Sequence, residues 1–149
     1  MVRFIEYSPE YREQCLQILK SNMERYFSPE EIVDFERYLG DDTPQSPYFL
    51  LINDKHLVAC GGYEIDNDKA FLRWGMVDND SHGSGLGSIL LNERIQHIRK
   101  KYKSIAIHIY TSPVARDFFI KKGFIVESIE KDGLAEGIDR VNMKLIESP

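Results

Sequence analysis

The chain has 149 residues, of which 42% are hydrophobic, 29% charged and 11% aromatic, a balance that excludes disordered, collagenous and coiled-coil chains and predicts one globular domain over residues 1–149. At this length folding removes roughly 70% of the unfolded surface from water, enough for a core that needs no disulfide framework. A formal net charge of -5 provides no global positive field, so nucleic acid is not an expected partner.

The longest apolar runs, Tyr48 to Ile52 and Ile105 to Ile109, are strand-length and far below the roughly 20 residues of a membrane span. Acidic residues stand near the start where a secretory signal would carry its apolar region. Cys15 and Cys60 have no metal spacing. These features predict a cytoplasmic protein with free buried thiols, no bound metal and no membrane contact.

Val2 to Glu6 is a first apolar-rich run. Ser8-Pro9-Glu10 supplies a cap, a first-turn proline and a first-turn acid, so a helix is expected there, carrying Tyr11, Cys15, Ile18 and Leu19 at helical spacing. Ser28-Pro29-Glu30-Glu31 repeats that signal for a second helix, with Ile32, Phe35, Tyr38 and Leu39 on one face and Gly40 as its stop. After a polar loop to Pro47 the period changes to two. Tyr48–Ile52, Leu57–Ile65 and Ala70–Val77 read as three antiparallel strands. A glycine-dense turn from Ser81 to Ser88 opens a helix over 84–102. Strand 104–110, helix 113–122 and strands 124–131 and 140–146 complete the chain, with turn signals at Asp132-Gly133 and Glu136-Gly137. The stretch from strand 70–77 through the helix to strand 104–110 is long enough for a parallel crossover. The order predicts an α+β fold with layered α/β architecture: a mixed, mostly antiparallel central sheet with helices on both faces.

The segment Val77-Asp78-Asn79-Asp80-Ser81-His82-Gly83-Ser84-Gly85-Leu86-Gly87-Ser88 carries the chemistry. Glycines at 83, 85 and 87 let backbone N–H groups turn toward one point, and the start of the following helix adds unpaired amides and the positive end of its dipole. Such a turn binds phosphate or pyrophosphate. The nucleotide P-loop is excluded because no Gly-Lys-Ser/Thr follows. The dinucleotide fingerprint is excluded because Ser88 stands at its third glycine and Tyr110 where its acid would close the next strand.

Val77 to Gly87 resembles the acetyl-CoA signature of the GNAT family of N-acetyltransferases, and Ala115 to Phe124 resembles that family's Ala-x-x-(Phe/Leu)-Tyr-x-x-x-Gly-Phe segment. Arg140 to Leu145 is similar to its closing strand, and the element order agrees from about residue 3 to residue 146. The resemblance implies a GNAT-like fold with splayed central strands, and acetyl transfer from acetyl-CoA to a primary amine by direct attack. It implies that the pantetheine arm pairs with Met76, Val77 and Asp78 and that the pyrophosphate sits on the amides of His82, Gly83, Ser84, Gly85, Leu86, Gly87 and Ser88. Ser112, Arg116 and Phe119 would flank the thioester arm. A homodimer is common in that family.

Two positions depart from the pattern. His82 replaces an arginine or glutamine, exchanging a charged fork for a single hydrogen bond. Phe119 replaces the tyrosine that often protonates the departing thiolate, and a phenyl ring has no proton to give. For proton transfer the candidates are Glu64, late in strand 57–65, Tyr110, at the end of strand 104–110, and His108 on the same strand face as Tyr110. Two further readings stay open: a degenerate acyl-CoA-binding sensor or regulatory module, and a nucleotide-phosphate-binding protein without acyl transfer.

Overall fold

The computed structural model describes residues 1–22, 30–40, 46–81 and 83–146. The start of the second helix at Ser28-Pro29, residues 41–45 of the polar loop, and His82 lie outside the described residues.

Strands β1 (Val2–Glu6), β2 (Tyr48–Asn53), β3 (His56–Asp66), β4 (Lys69–Val77), β5 (Ala106–Thr111), β6 (Phe124–Ala135) and β7 (Ile138–Leu145) form one sheet in the order β1-β2-β3-β4-β5-β7-β6. Every neighbouring pair is antiparallel except β4 with β5, which are parallel. That parallel pair is the expected crossover, made by helix α3 (Leu86–Lys101). The predicted fold class and element order are those observed.

The run Tyr48–Ile52 is apolar without alternation because both its faces are covered. Tyr48, Leu50 and Ile52 join Cys60 and Met76 in a core with helix α1 (Arg12–Ser21) and helix α2 (Glu30–Leu39), to which Cys15, Leu19, Phe35 and Leu39 contribute. Phe49 turns the other way, into a core with Tyr63, Leu72, Ile107 and Met143 under α3 and helix α4 (Pro113–Lys121), which bring Leu91, Ile98 and Phe119. Helices therefore cover both faces.

Most boundaries shift by one or two residues from the sequence expectation, and two differences have a visible local cause. Proline at position 9 starts a 3-10 turn over Pro9–Tyr11 before α1 begins at Arg12. Asp132-Gly133 does not close the last hairpin. β6 runs on to Ala135 through a register shift, with Asp132 at φ +55°, and the chain reverses at Glu136-Gly137. A short local hydrogen bond explains the choice, since Asp132 Oδ1 accepts from the N–H of Gly137 at 2.8 Å.

Gly40 ends α2 as read, at φ +65° with its N–H donating to Glu36 O. Arg12 ties α1 to that end by donating to the carbonyls of Gly40 and Glu36 at 3.2 and 3.3 Å. Cys15 and Cys60 are both free and fully buried, and a hydrogen bond with Cys60, reinforced by burial, pushes the Cys15 thiol up from its ordinary value. Among the described residues no helix is long and apolar enough to cross a membrane.

Candidate active site

β4 and β5 stay in register only from Lys69 opposite Ala106 to Leu72 opposite Ile109. Beyond that point β4 follows β3 to Val77, while β5 follows β7 to Thr111. The two strands thus part in the middle of the sheet and leave a wedge between Arg73–Val77 and Tyr110–Thr111.

The parting coincides with a bulge in β4. Cys60 pairs with Met76 and Gly62 with Arg73, so Gly61 alone stands opposite Trp74 and Gly75. Trp74 takes a left-handed φ of +50°, a conformation that costs a non-glycine residue about 1 to 2 kcal/mol. Tyr48 holds it there, its hydroxyl donating to Trp74 O at 2.9 Å. The indole packs against Phe35 with ring centres 4.9 Å apart and against Tyr38 at 6.1 Å.

A cleft of about 870 Å³ runs through the wedge to the glycine turn. Gly83, Gly85, Leu86, Gly87 and Ser88 line one end, Trp74, Gly75, Met76 and Val77 the strand edge, and Ser112, Val114, Ala115, Phe118 and Phe119 the opposite wall. Gly83 and Gly85 both sit at φ +83°, and a Cβ on either would point into open space. Glycine is needed there for its backbone angle, and the space before it is free for a ligand. First-turn amides of α3 have no intrahelical acceptor, which suits that end to an anion. The turn is braced by Ser84 Oγ donating to Ser81 O and by the Asp78 N–H donating to Val58 O at 2.8 Å. Asn22, buried at the end of α1, donates from Nδ2 to Val77 O at 2.9 Å and so fixes the last residue of β4.

Of the residues expected to hold a coenzyme, Met76, Val77, Gly83, Gly85, Leu86, Gly87, Ser88, Ser112 and Phe119 line this cleft, while Asp78, Ser84 and Arg116 do not. Arg116 instead lies 3.7 Å from Asp117. Phe119 is buried against Phe124 and Phe118, so its position is met by an apolar ring.

Among the proton-transfer candidates, Glu64 and Tyr110 line the cleft and His108 does not. Glu64 is paired with Arg73 at 2.6 Å. Tyr110 lies against Phe71, with the guanidinium of Arg140 4.4 Å above its ring. His108 is stacked on Phe71, its Nδ1 3.4 Å from Glu127 and its buried Nε2 without a partner. Burial, reinforced by Lys69 and Lys144, pulls its pKa below the ordinary 6.5 and overcomes the opposite pull of Glu127. The phenyl ring of Phe71 packs against both residues of this strand face, stacked on His108 and tilted against Tyr110.

Sequence patterning missed three parts of the site. Arg94 lines the cleft from within α3, four residues after Leu90 and eight after Leu86. A charge continuing a leucine stripe was the available signal. Trp-Gly inside an apolar strand pointed to the bulge. Nothing local announces the role of Asn22, which acts across 55 positions of sequence. Glu31, Asp34 and Asp66 line the same cleft, and a second cavity of about 390 Å³ adjoins it, lined by Asp34, Arg37, Tyr38, Ser46, Glu64, Arg73 and Trp74. Among the described residues no group of His, Cys, Asp and Glu is arranged to hold a metal.

Solved structures share this architecture. The ribosomal-protein-S18-alanine N-acetyltransferase of Escherichia coli is 18% identical with a TM-score of 0.79, covering 97% of this chain and 93% of that one. PaiA N-acetyltransferase of Thermoplasma acidophilum, in complex with coenzyme A, is 19% identical with a TM-score of 0.74 and 99% of each chain covered. The aminoglycoside 6'-N-acetyltransferase of Enterococcus faecium is 13% identical with a TM-score of 0.75 over 99% of each chain. No curated protein matches in sequence. The family model described as the acetyltransferase (GNAT) domain matches residues 9–147, from the first helical turn to beyond the last strand. Because that match takes in both sides of the parted sheet and the glycine turn at its mouth, the chain belongs to the GNAT family of acetyltransferases.

Proposed function

We propose that the chain is a single-domain N-acetyltransferase that moves acetyl from acetyl-CoA to a primary amine by direct attack. One observation carries this reading: the wedge between β4 and β5 opens onto the glycine turn as one continuous cleft. An amide-rich arm can pair with strand edges that have lost their neighbour, and a diphosphate can rest on helix-start amides without a basic protein surface.

In this pose the diphosphate lies on the amides of Gly83 to Ser88. The arm lies along Met76 and Val77, and Ser112, at the cap of α4, and Phe119, within it, face it from the other wall. A backbone N–H near Val77 polarises the thioester carbonyl. Glu31, Asp34, Glu64 and Asp66 draw a cationic amine to the other end of the cleft. Glu64, directly or through water, takes the proton of the attacking amine, and Arg73 holds its carboxylate in place until then. The Tyr110 hydroxyl stands in the same cleft as an alternative proton relay.

A panel of small amines, polyamines, amino acids and N-terminal peptides, read by release of free thiol from acetyl-CoA, tests the assignment. Turnover on at least one amine, lost in Glu64→Gln, is the expected result. Coenzyme binding with no turnover on any acceptor contradicts catalysis. That outcome supports an acyl-CoA sensor, the reading favoured by Phe119 and by the engagement of Glu64 with Arg73.

A further inference from the structure

Arg94 is an anomaly in energetic terms. It is only 3% exposed, yet among the described residues no carboxylate pairs with it. Its Nη1 donates to Gly62 O at 3.2 Å, and its buried Nε has no partner. The surrounding groups that act on its charge are the hydroxyls of Tyr48 and Tyr38 and the thiol of Cys60. Burial lowers its pKa only to about 10, so it stays a cation at neutral pH.

The sheet is shaped to receive it. Gly61 of β3 and Gly75 of the β4 bulge form a slot for the guanidinium, since a Cβ on Gly75 would come within 2.7 Å of Nη2 and one on Gly61 within 3.2 Å of Cζ. A leucine would continue the stripe of Leu86 and Leu90 without paying for desolvation of a charge. Instead a cation lies in the cleft wall, directly beyond the point where β4 leaves β5. Arg94 is eight residues beyond Leu86, so a rise of 1.5 Å per residue puts it about 12 Å deeper than the helix start. On the function proposed above, this depth is that of the acyl end of the coenzyme arm.

We propose that Arg94 stabilises negative charge on the coenzyme sulfur, letting it leave as thiolate where Phe119 offers no proton. The amine lone pair forms the C–N bond, the C–S bonding pair goes to sulfur, the amine proton passes to Glu64 or solvent, and the thiolate later takes a proton from water. Arg94 is a positioning residue in this scheme: it acts through the field of a fixed charge in a site of low dielectric.

The inference rests on the coenzyme pose, and the experiment separates the two. The thiol of coenzyme A bound to the full-length protein is titrated by its ultraviolet thiolate absorbance, with the desulfo-coenzyme complex as the blank for protein tyrosines and cysteines. The bound thiol is expected to titrate about 1 to 2 units below free coenzyme A. Arg94→Met should abolish that depression and Arg94→Lys should retain part of it, which a purely structural arginine would not do. A wild-type bound thiol titrating at or above its free value overturns the inference even if Arg94→Met does not fold. So does a depression that survives in a folded Arg94→Met. If coenzyme A fails to bind at all, the functional reading falls first, and Arg94 loses its role with it.

Discussion

Gly85 carries the sharpest consequence of a single backbone angle. A Cβ there meets no atom of the protein within 4 Å, so Gly85→Ala suffers only the strain of a left-handed residue, about 1 kcal/mol. The same methyl would project into the space assigned to the diphosphate. Calorimetric titration should show coenzyme A affinity falling by about tenfold or more, while the melting temperature moves by only a few degrees. Gly62 is the converse case. A Cβ at that position would lie 2.1 Å from Pro47 O, so Gly62→Ala should destabilise by about 3 kcal/mol in a urea melt, whether coenzyme is present or not. The glycine turn could be read from sequence because three glycines at alternate positions leave few other uses. Gly61, Gly62 and Gly75 could not, because their purpose is set by Arg94 and Tyr48, brought to them by tertiary packing.

At the scale of elements, β4 decides the site. Its bulge is held by α2 through Phe35 and by β2 through Tyr48, so the acceptor side of the cleft depends on the helices that cover that face. Tyr48→Phe removes the hydrogen bond to Trp74 O and leaves a strained residue without its restraint. The expected loss is about 1 kcal/mol of stability, with a larger fractional loss of turnover than of coenzyme affinity. Phe35→Ala empties a fully buried ring site and should cost about 3 kcal/mol or more by the same melts. Periodicity revealed that residues 70–77 form a strand and that α3 follows. The point at which β4 abandons β5 depends on the bulge, which has no pattern of its own beyond an adjacent Trp and Gly. The long reach of β6 was hidden for a similar reason, because Asp132-Gly133 is as good a turn signal as Glu136-Gly137 and hydrogen bonding across the hairpin chose between them.

For the whole molecule, two histidines set an acid limit. His97 and His108 both have pKa values lowered first by burial, with nearby lysines adding to the effect. As pH falls through the ordinary 6.5, the unfolded chain takes up protons on these histidines before the folded protein does, so unfolding becomes easier with acid. Urea midpoints should therefore fall as pH drops below about 6.5. Exchanging both histidines for glutamine should flatten that part of the curve; an unchanged slope would mean that other groups dominate. The molecule's net charge of -5 argued against nucleic acid as an expected partner but gave no hint of the acceptor, because the acidic lining of the cleft comes from β3 and α2 only after they fold together.

A crystal structure of the full chain with coenzyme A tests the central claim most directly. The account predicts continuous density for the arm between Arg73–Val77 and Tyr110–Thr111, with the diphosphate within hydrogen-bonding distance of the amides from Gly83 to Ser88. Coenzyme bound outside the wedge, or amides of the glycine turn satisfied by protein groups while the diphosphate lies elsewhere, would contradict it.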